Sequence, residues 1–294
     1  MNIAFIGLGK FGQAIASLIE YNGLGYDYAE ITEGRLLSQP ADLVFLMVPT
    51  QYMRQALTDN KQFVTDRSII VNGSKGIEEK THLMVHQIVR SIRPYPNYYS
   101  LIGPTFAEGI LKKEPTIVSL GYKNPEHVAT IKKALQTPYF RVQECRGYRS
   151  LELASAMKNL YAIVCGYAHG LGFGPNTQAQ LITLALNEFR ELAKAMKFAD
   201  YDVMSPGVVG DLILTCSSSQ SRNYQYGLKL ARTGDHDPHE SSKTTVEGFH
   251  TSHSINAISK EHKVKLPLAA LTASIINKDV ASAEAFSDFL SKYS

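Results

Sequence analysis

The sequence has few cysteines and almost no excess of charge of either sign. Its 294 residues include three cysteines, Cys145, Cys165 and Cys216, an odd number with no close pair. Such a set favours free thiols over a disulfide framework, so we expect a protein of the reducing cytoplasm. A net charge of +3, without a long Lys/Arg run or an RNA-binding aromatic motif, argues against nucleic acid as a partner.

Long apolar segments are also missing. The apolar start Ile3–Ile6 is far too short for the core of a signal peptide. No stretch approaches the ~20 apolar residues that a transmembrane helix needs. Internal repeats and low-complexity linkers are absent too, and 44% apolar with 19% charged residues is an ordinary globular composition. A chain of this length can form two domains, each with its own core.

The first half of the sequence alternates strand and helix. A short buried strand over residues 2–6 leads into Gly7-Leu8-Gly9-Lys10-Phe11-Gly12 and then a helix over 13–21, closed by Asn22-Gly23. Strand, GxGxxG and helix are the dinucleotide fingerprint in its required context. Gly7 would make the tight turn, Gly9 would let a pyrophosphate approach the backbone, and Gly12 would let the helix lie close to the strand.

More apolar strands are predicted at residues 43–48, 68–72, 99–102, 116–120 and 139–142. In an open parallel sheet the carboxyl ends of the strands line one crevice, where ligands bind. Lys75, in the loop after the third strand, is therefore expected to point to the same cleft as the glycine loop. An ordinary loop lysine is the alternative. We expect this dinucleotide-binding Rossmann domain to comprise residues 1–147, and residues 147–150 to form the hinge that follows it.

The second half, residues 148–294, is predicted to be an all-helical substrate and catalytic domain. From Leu153 to Ala168 the only charged side chain is Lys158, in an otherwise apolar helix. A buried lysine is costly unless an acid compensates it or its chemistry is used. A lysine that reaches the solvent at the edge of a helix seam is the alternative. A long helix capped by Asn176 is expected to follow.

A single carboxylate and a serine-rich helix start come next. Asp211 stands in an apolar run and is a natural partner for Lys158. Ser221, Arg222 and Asn223 open a helix, so free amides, a hydroxyl and a guanidinium could receive a phosphate. A simple serine N-cap is the alternative. His236, Asp237 and His239 do not have ligand spacing with any other residue, and we predict no metal site.

These motifs together resemble the bacterial NAD(P)-dependent glycerol-3-phosphate dehydrogenases. The matching segments occur in family order over most of the chain: GLGKFG at Gly7, SKGIE at Ser74, GPTFAEG at Gly103, AMKNLYAIVCGYAHGLGFGPNTQAQLIT at Ala156, GDLILTCSSSQSRNYQYG at Gly210 and TVEGFHT at Thr245. The resemblance implies a Rossmann lobe, an all-helical second domain and a homodimer. It also implies reversible hydride transfer between NAD(P)H and dihydroxyacetone phosphate, which gives sn-glycerol 3-phosphate for phospholipid synthesis.

The resemblance also implies roles for individual residues. Lys158 matches the catalytic acid/base, Lys75 a second lysine on the substrate side, and Asp211 the residue that orients and compensates Lys158. The other positions that match substrate contacts are Gly103, Thr105, Ser221, Arg222 and Asn223. Those that match cofactor contacts are Gly7, Gly9, Lys10, Phe11, Gly12, Lys75, Ala107, Arg222, Thr245 and Glu247.

The chain departs from the family between Gly23 and Ala41, where it has room for little more than the second strand. The family often has a basic residue just past that strand. Counting places Ile31 there, with Glu30 before it and Arg35 after it. An acid favours the ribose hydroxyl of NAD and an arginine the extra phosphate of NADP, so we expect NAD or NADP with a lean to NAD.

Two other functions remain open from the sequence. A related two-domain reductase could act on another hydroxyacid or ketoacid, although Ser221-Arg222-Asn223 suits a phosphate ester better. A nucleotide-binding regulator could have lost catalysis, although Lys158, Lys75 and Asp211 are all present.

Overall fold

The computed structural model describes residues 1–198, 202–241, 244–277 and 283–293, and only the backbone of 239–241 and 244–245. Within the described parts, no helix is both long and apolar enough to cross a membrane.

Contacts divide the chain into two units. The first is Met1–Glu152 with Ala199–Asp211, and the second is Leu153–Phe198 with Leu212–Ser294. The predicted domain boundary between residues 147 and 148 stays a prediction, since the contacts group residues 148–152 and 202–211 with the first unit.

The first unit is built on a seven-stranded sheet. Its strands are β1 (Ile3–Ile6), β2 (Asp27–Ala29), β3 (Ala41–Leu46), β4 (Val64–Asn72), β5 (Tyr98–Ile102), β6 (Thr116–Tyr122) and β7 (Phe140–Arg146), in the order β2-β1-β3-β4-β5-β6-β7. All neighbours are parallel except β5 and β6, which are antiparallel. The expected open sheet is therefore mostly parallel, and this domain has the predicted Rossmann-type α/β fold.

Alternation along the strands separates two cores. Ile3 and Phe5 of β1 lie in one apolar cluster with α1 (Lys10–Tyr21) and α5 (Val128–Leu135), while Ala4 and Ile6 lie in a second cluster with α2 (Thr50–Asp59) and α3 (Val85–Ile92). A strand with helices on both faces must be apolar on both, which explains the continuous run IAFI. The short α4 (Ala107–Leu111) follows β5.

The connection after β2 is short, as predicted. A 3-10 turn, Ile31–Glu33, is followed by Gly34 with φ +63°, and an antiparallel bridge then pairs Glu30 with Arg35. The chain enters β3 through buried Leu37, whose backbone N–H donates to Asn60 Oδ1 at 2.9 Å.

The second unit is helical, as predicted, apart from a small two-stranded ribbon of β8 (His239–Ser241) and β9 (Thr244–Thr245). The later helices of the chain are α6 (Tyr148–Gly170), α7 (Pro175–Ala195), α8 (Asp211–Ser217), α9 (Arg222–Thr233), α10 (Glu247–Glu261), α11 (Pro267–Ile276) and α12 (Ala283–Lys292). The hinge predicted at 147–150 lies largely inside α6.

One predicted helix cap is wrong. Asn176 does not cap α7, because the helix begins one residue earlier with Pro175 at its first position and Gly174 as the N-cap. Proline suits that position, since its fixed φ is helical and its missing N–H would have no partner inside the helix.

Candidate active site

The glycine loop has the geometry that its sequence predicts. Gly7 directly follows β1 with φ +92°, and a Cβ there would lie 2.6 Å from a methyl group of Val48. A Cβ on Gly12 would lie 2.6 Å from the carbonyl oxygen of Gly7, so α1 begins in close contact with β1. Gly9 is the N-cap, and a Cβ there would meet no atom within 4 Å. The backbone at Gly9 is thus open to a ligand, and Lys10 and Phe11 form the first turn of α1.

An acid follows β2 directly and reaches this loop. The Glu30 carboxylate accepts the backbone N–H of Leu8 at 2.9 Å. Arg35 is held elsewhere: its Nε donates to the Tyr28 carbonyl at 2.8 Å and its guanidinium pairs with Asp27 at 3.3 Å. Glu30, rather than Ile31 as counted from the sequence, is the first residue past the strand.

Lys75 faces the same loop from the carboxyl end of β4. Its Nζ donates to Asp211 Oδ2 at 3.1 Å and lies 5.8 Å from the centre of the Phe11 ring. Asp211 begins α8 and is buried, with 1% of its surface exposed, whereas Lys75 is partly exposed. The prediction that Lys75 points to the glycine loop is confirmed by the Phe11 contact. The pairing of Asp211 with Lys158 stays a prediction.

The loop after β5 lies beside the segment that carries Asp211. Gly103 is buried, Thr105 Oγ1 donates to its carbonyl at 3.3 Å, and Ala107 is the first residue of α4. The π-helical turn Pro206–Gly210 rests on this part of the sheet, because its Gly207 N–H donates to Ser119 Oγ at 3.0 Å. This packing fixes the place of Asp211 within the first unit.

Lys158 lies in the second unit, on a helix that is buried along nearly its whole length. Its side chain is 6% exposed, and Nζ donates to Thr215 Oγ1 of α8 at 2.7 Å. The prediction of a buried ammonium is therefore confirmed, and the alternative of a lysine that reaches the solvent is wrong. The sequence reasoning missed Thr215, although it follows Asp211 by one helical turn.

Two glycines bring α6 and α9 into backbone contact. A Cβ on Gly166 would lie 1.9 Å from the Tyr224 carbonyl oxygen, and one on Gly227 would lie 1.9 Å from that of Ile163. Only residues without a side chain permit such an approach. The contact lies at residues 163–166 of α6, on the C-terminal side of Lys158.

An amide network joins these helices to the start of α10. The Asn223 Oδ1 accepts the Gly248 N–H at 2.9 Å, and Asn159 Nδ2 donates to Glu247 at 2.8 Å. Asn223 and Glu247 are thus held in one place with fixed orientation. Asn159 was missed from the sequence, although a second polar residue beside Lys158 in an apolar helix was a usable signal.

The start of α9 is built as predicted. Ser221 is the N-cap and its Oγ accepts the Tyr224 N–H at 3.3 Å, which is the simple cap of the alternative interpretation. A hydroxyl that accepts still has an O–H to donate, so the cap does not prevent a phosphate contact. Arg222 is exposed and lines a cavity whose other walls are Gln225, Tyr226, Lys229, Asp237, Pro238 and Val246.

Thr245 lies in β9, and its side chain is outside the described part of the structure. His236 and His239 are two of the three residues considered above for a metal site. His236 Nδ1 lies 2.9 Å from the Ile276 carbonyl oxygen, and the side chain of His239 is likewise outside the described part.

Family models match both parts of the chain. One described as the NAD-dependent glycerol-3-phosphate dehydrogenase N-terminus matches residues 31–128, and one described as the C-terminus of the same enzyme matches residues 148–287.

Relatives and solved structures agree with these models. The glycerol-3-phosphate dehydrogenase [NAD(P)+] of Maridesulfovibrio salexigens is 32% identical over 99% of this chain and 98% of its own. That of Solidesulfovibrio magneticus is 31% identical with the same coverage. The crystal structure of the Coxiella burnetii glycerol-3-phosphate dehydrogenase has the same fold, with TM-score 0.87, 23% identity and 98% of each chain covered. The hydroxyacid reductase and the non-catalytic regulator are not favoured. The chain belongs to the family of NAD(P)-dependent glycerol-3-phosphate dehydrogenases.

Proposed function

We propose that this chain reversibly reduces dihydroxyacetone phosphate to sn-glycerol 3-phosphate with NADH or NADPH. The observation that carries this proposal is the buried ammonium of Lys158, held on Thr215 in the unit that also contains Ser221, Arg222 and Asn223. An ammonium in dry surroundings is suited to protonating a carbonyl oxygen, and the start of α9 is suited to binding a phosphate ester.

The glycine loop fits a dinucleotide. The open space at Gly9 lets a pyrophosphate reach the backbone, and the first amides of α1 have no acceptor inside the helix. Lys10 and Phe11 would flank that group, with Ala107 in the first unit and Arg222, Thr245 and Glu247 in the second as further contacts.

We assign Glu30 to the adenosine ribose and expect NADH to be preferred. Its carboxylate is already fixed on the loop amide of Leu8, where it would accept from ribose hydroxyls and repel a 2′-phosphate. Arg35, the nearby base, is occupied by Asp27 and Tyr28.

The substrate phosphate would bind at the start of α9. Arg222 can offer two parallel N–H donors and Ser221 a hydroxyl. Asn223 can offer the two N–H donors of its Nδ2, since its Oδ1 already accepts the Gly248 N–H. Gly103 and Thr105, in the first unit, are the remaining substrate contacts in this assignment.

The nicotinamide, when bound, supplies a hydride to the carbonyl carbon. Lys158 donates a proton from Nζ to the carbonyl oxygen, so that an alcohol forms and the lysine becomes a neutral amine. In the reverse direction the neutral amine takes the proton back. Lys75, paired with Asp211, contributes a second positive charge on the substrate side.

The family resemblance also supports a homodimer working in the cytoplasm, with sn-glycerol 3-phosphate supplied to phospholipid synthesis. Light scattering coupled to size exclusion would test the dimer by its mass.

Steady-state oxidation of NADH and NADPH tests the function. We expect turnover with dihydroxyacetone phosphate, and feeble turnover with unphosphorylated dihydroxyacetone or a 2-ketoacid. A higher kcat/KM with the ketoacid would favour the related reductase, and cofactor binding without turnover would favour the regulator.

A further inference from the structure

A buried carboxylate that sequence reasoning did not single out lies near the start of α6. Glu152 is 2% exposed and receives donors from three other elements of the first unit. Its Oε2 accepts the backbone N–H of His86 at 3.1 Å and lies 2.8 Å from His86 Nδ1. Its Oε1 accepts from Ser100 Oγ at 3.0 Å and from the hydroxyl of Tyr98. These contacts hold the carboxylate in one orientation.

The same group is kept ionised by its neighbours. Burial acts to raise the pKa of Glu152, but the charge and hydrogen bonds of His86 and the bond from Tyr98 outweigh it and lower the pKa below its usual value. An ionised carboxylate can only accept hydrogen bonds. Any amide beside it must therefore present its nitrogen.

Asn72, the last residue of β4, is that amide. Its Nδ2 donates to Glu152 Oε1 at 3.3 Å and to the Ser74 carbonyl at 3.2 Å. Its Oδ1 accepts the Ser74 N–H at 2.9 Å. Glu152 thus determines which end of the Asn72 amide is the nitrogen. As a consequence, Oδ1 is the atom that faces the Ser74 N–H.

Lys75 directly follows Ser74, whose backbone is bonded to the Asn72 amide. The hydroxyl of Ser74 donates to the carbonyls of Leu46 and Val48, and Thr50 Oγ1 donates to the Lys75 carbonyl at 2.9 Å. The loop backbone is thus fixed on both sides of the position from which the lysine reaches Asp211.

We propose that Glu152 and Asn72 are positioning residues for Lys75, acting through the backbone of Ser74. They touch neither substrate nor cofactor; they set where the loop presents its ammonium. The inference rests on the proposed role of Lys75 in the reaction.

Asn72→Ala is the first test. It removes both hydrogen bonds between the Asn72 amide and the Ser74 backbone, so we expect kcat with dihydroxyacetone phosphate to fall by about 10- to 100-fold, as for a misplaced catalytic group. The dissociation constant for NADH should change by a smaller factor than kcat does, because Lys75 is one of several residues assigned to the dinucleotide. Wild-type kcat in Asn72→Ala would overturn the proposal.

Asn60→Ala is the matched control. Asn60 is equally buried and also bonds two backbone groups, the Leu37 N–H and the Ala56 carbonyl, each at 2.9 Å. It precedes β4, whereas Asn72 ends it. We expect a comparable drop in Tm with kcat unchanged; an equal loss of kcat in both variants would mean that general destabilisation explains the effect.

A double-mutant cycle separates positioning from structure. In a Lys75→Met background, Asn72→Ala should cost no further kcat, because its effect passes through the lysine. An equal fold-loss in both backgrounds would overturn the positioning role while leaving Lys75 in the mechanism. Full activity of Lys75→Met alone would instead remove the lysine from the proposed function, and the positioning role with it.

Glu152→Gln keeps the test decisive if Asn72→Ala does not fold. The His86 N–H needs an acceptor at the Oε2 position, so the glutamine oxygen is expected there and its nitrogen at the Oε1 position. That nitrogen faces the Nδ2 donor of Asn72, and the bond that orients Asn72 is lost. We expect kcat to fall about tenfold by the same misplacement, again only when Lys75 is present. Unchanged kcat in folded Glu152→Gln would overturn the proposal.

Discussion

Lys75 Nζ lies 3.1 Å from Asp211 Oδ2, and the carboxylate is almost completely buried. The two residues are 136 positions apart, yet they lie in the same unit, with Lys75 in the loop after β4 and Asp211 at the start of α8. A buried carboxylate needs a compensating charge, and Lys75 supplies it here. From the sequence alone, Lys158 was the one partner proposed for Asp211, because both residues stand in apolar runs. The chain path that brings Lys75 to Asp211 could not be inferred in that way.

Asp211→Asn should therefore impair the enzyme through Lys75. The substitution keeps the shape and one acceptor oxygen but leaves the ammonium without its counter-ion. We expect kcat to fall by about 10²-fold, the scale of a lost charge-stabilising contact, while NADH still binds. Stopped-flow measurement of NADH binding beside steady-state kcat separates these effects. Wild-type turnover in Asp211→Asn would show that the pair is structural.

Lys158→Met should abolish most turnover. Positioned acid catalysis is typically worth ~10²–10⁴ in rate, and methionine keeps the volume without the proton. Thr215→Val removes the acceptor that holds Nζ and should cost a smaller factor. The exposed Lys194→Met, on α7, is the control and should leave kcat unchanged. Turnover of Lys158→Met within a few-fold of wild type would remove this residue from the mechanism.

Local pattern predicted the elements that have a strong periodic or glycine signal. The glycine loop, the Asn22-Gly23 helix end, the buried helix of Lys158 and the Ser221 cap all follow from residues within about one turn of one another. These features depend on neighbours in the sequence, so one chain is enough to find them.

Contacts across long sequence separations were not predictable in the same way. The antiparallel β5–β6 pair, the Lys75–Asp211 contact and the Asn72–Glu152 bond each depend on the path of the chain between distant elements. Glu152 could still have been noticed, since it stands one residue before the apolar run of α6. Nothing in the sequence indicated which side chains it would meet.

Glu30 should decide the choice of cofactor. We expect wild type to have the higher kcat/KM with NADH, and Glu30→Ser to shift the NADH/NADPH ratio toward NADPH by about tenfold, equal to 1.4 kcal/mol. The exposed Glu33→Gln, in the same turn, should leave the ratio unchanged. A wild-type preference of more than about tenfold for NADPH would contradict the assignment and point to Arg35.

Glu188 should make the stability of the second unit depend on pH. Its carboxylate accepts from the Tyr161 hydroxyl at 2.7 Å and from the first amides of α11, but burial outweighs these bonds and raises its pKa. With a raised pKa the folded state binds the proton more tightly than the unfolded state does. The stabilisation is complete below the ordinary glutamate pKa of about 4.3 and is lost as pH rises through the higher value.

Urea unfolding across this pH range measures the effect. The free energy of unfolding of wild type minus that of Glu188→Gln should decrease as pH rises through the window and be constant on either side. The exposed Glu191→Gln, on the same helix, is the control and should give a flat difference. A flat difference for Glu188→Gln as well would show that its pKa is not raised.

Arg222 should recognise the substrate through its phosphate. A bidentate contact between arginine and phosphate is strong and has fixed geometry, and binding energy from a remote phosphate can align the carbonyl for attack. Arg222→Ala should thus lower kcat and raise KM for dihydroxyacetone phosphate, yet hardly change the feeble rate with unphosphorylated dihydroxyacetone. The KM for the cofactor should also rise if the guanidinium contacts the dinucleotide as well.

The discriminating quantity is the selectivity ratio, kcat/KM for the phosphorylated substrate over that for the unphosphorylated one. We expect Arg222→Ala to reduce this ratio by at least about tenfold, equal to 1.4 kcal/mol. The exposed Arg232→Ala, at the other end of α9, removes the same charge from the same helix and should leave the ratio unchanged. If the ratio survives in Arg222→Ala, the phosphate binds elsewhere. Because Lys75 is the other cation assigned to the substrate side, Lys75→Met would then be expected to reduce the ratio instead.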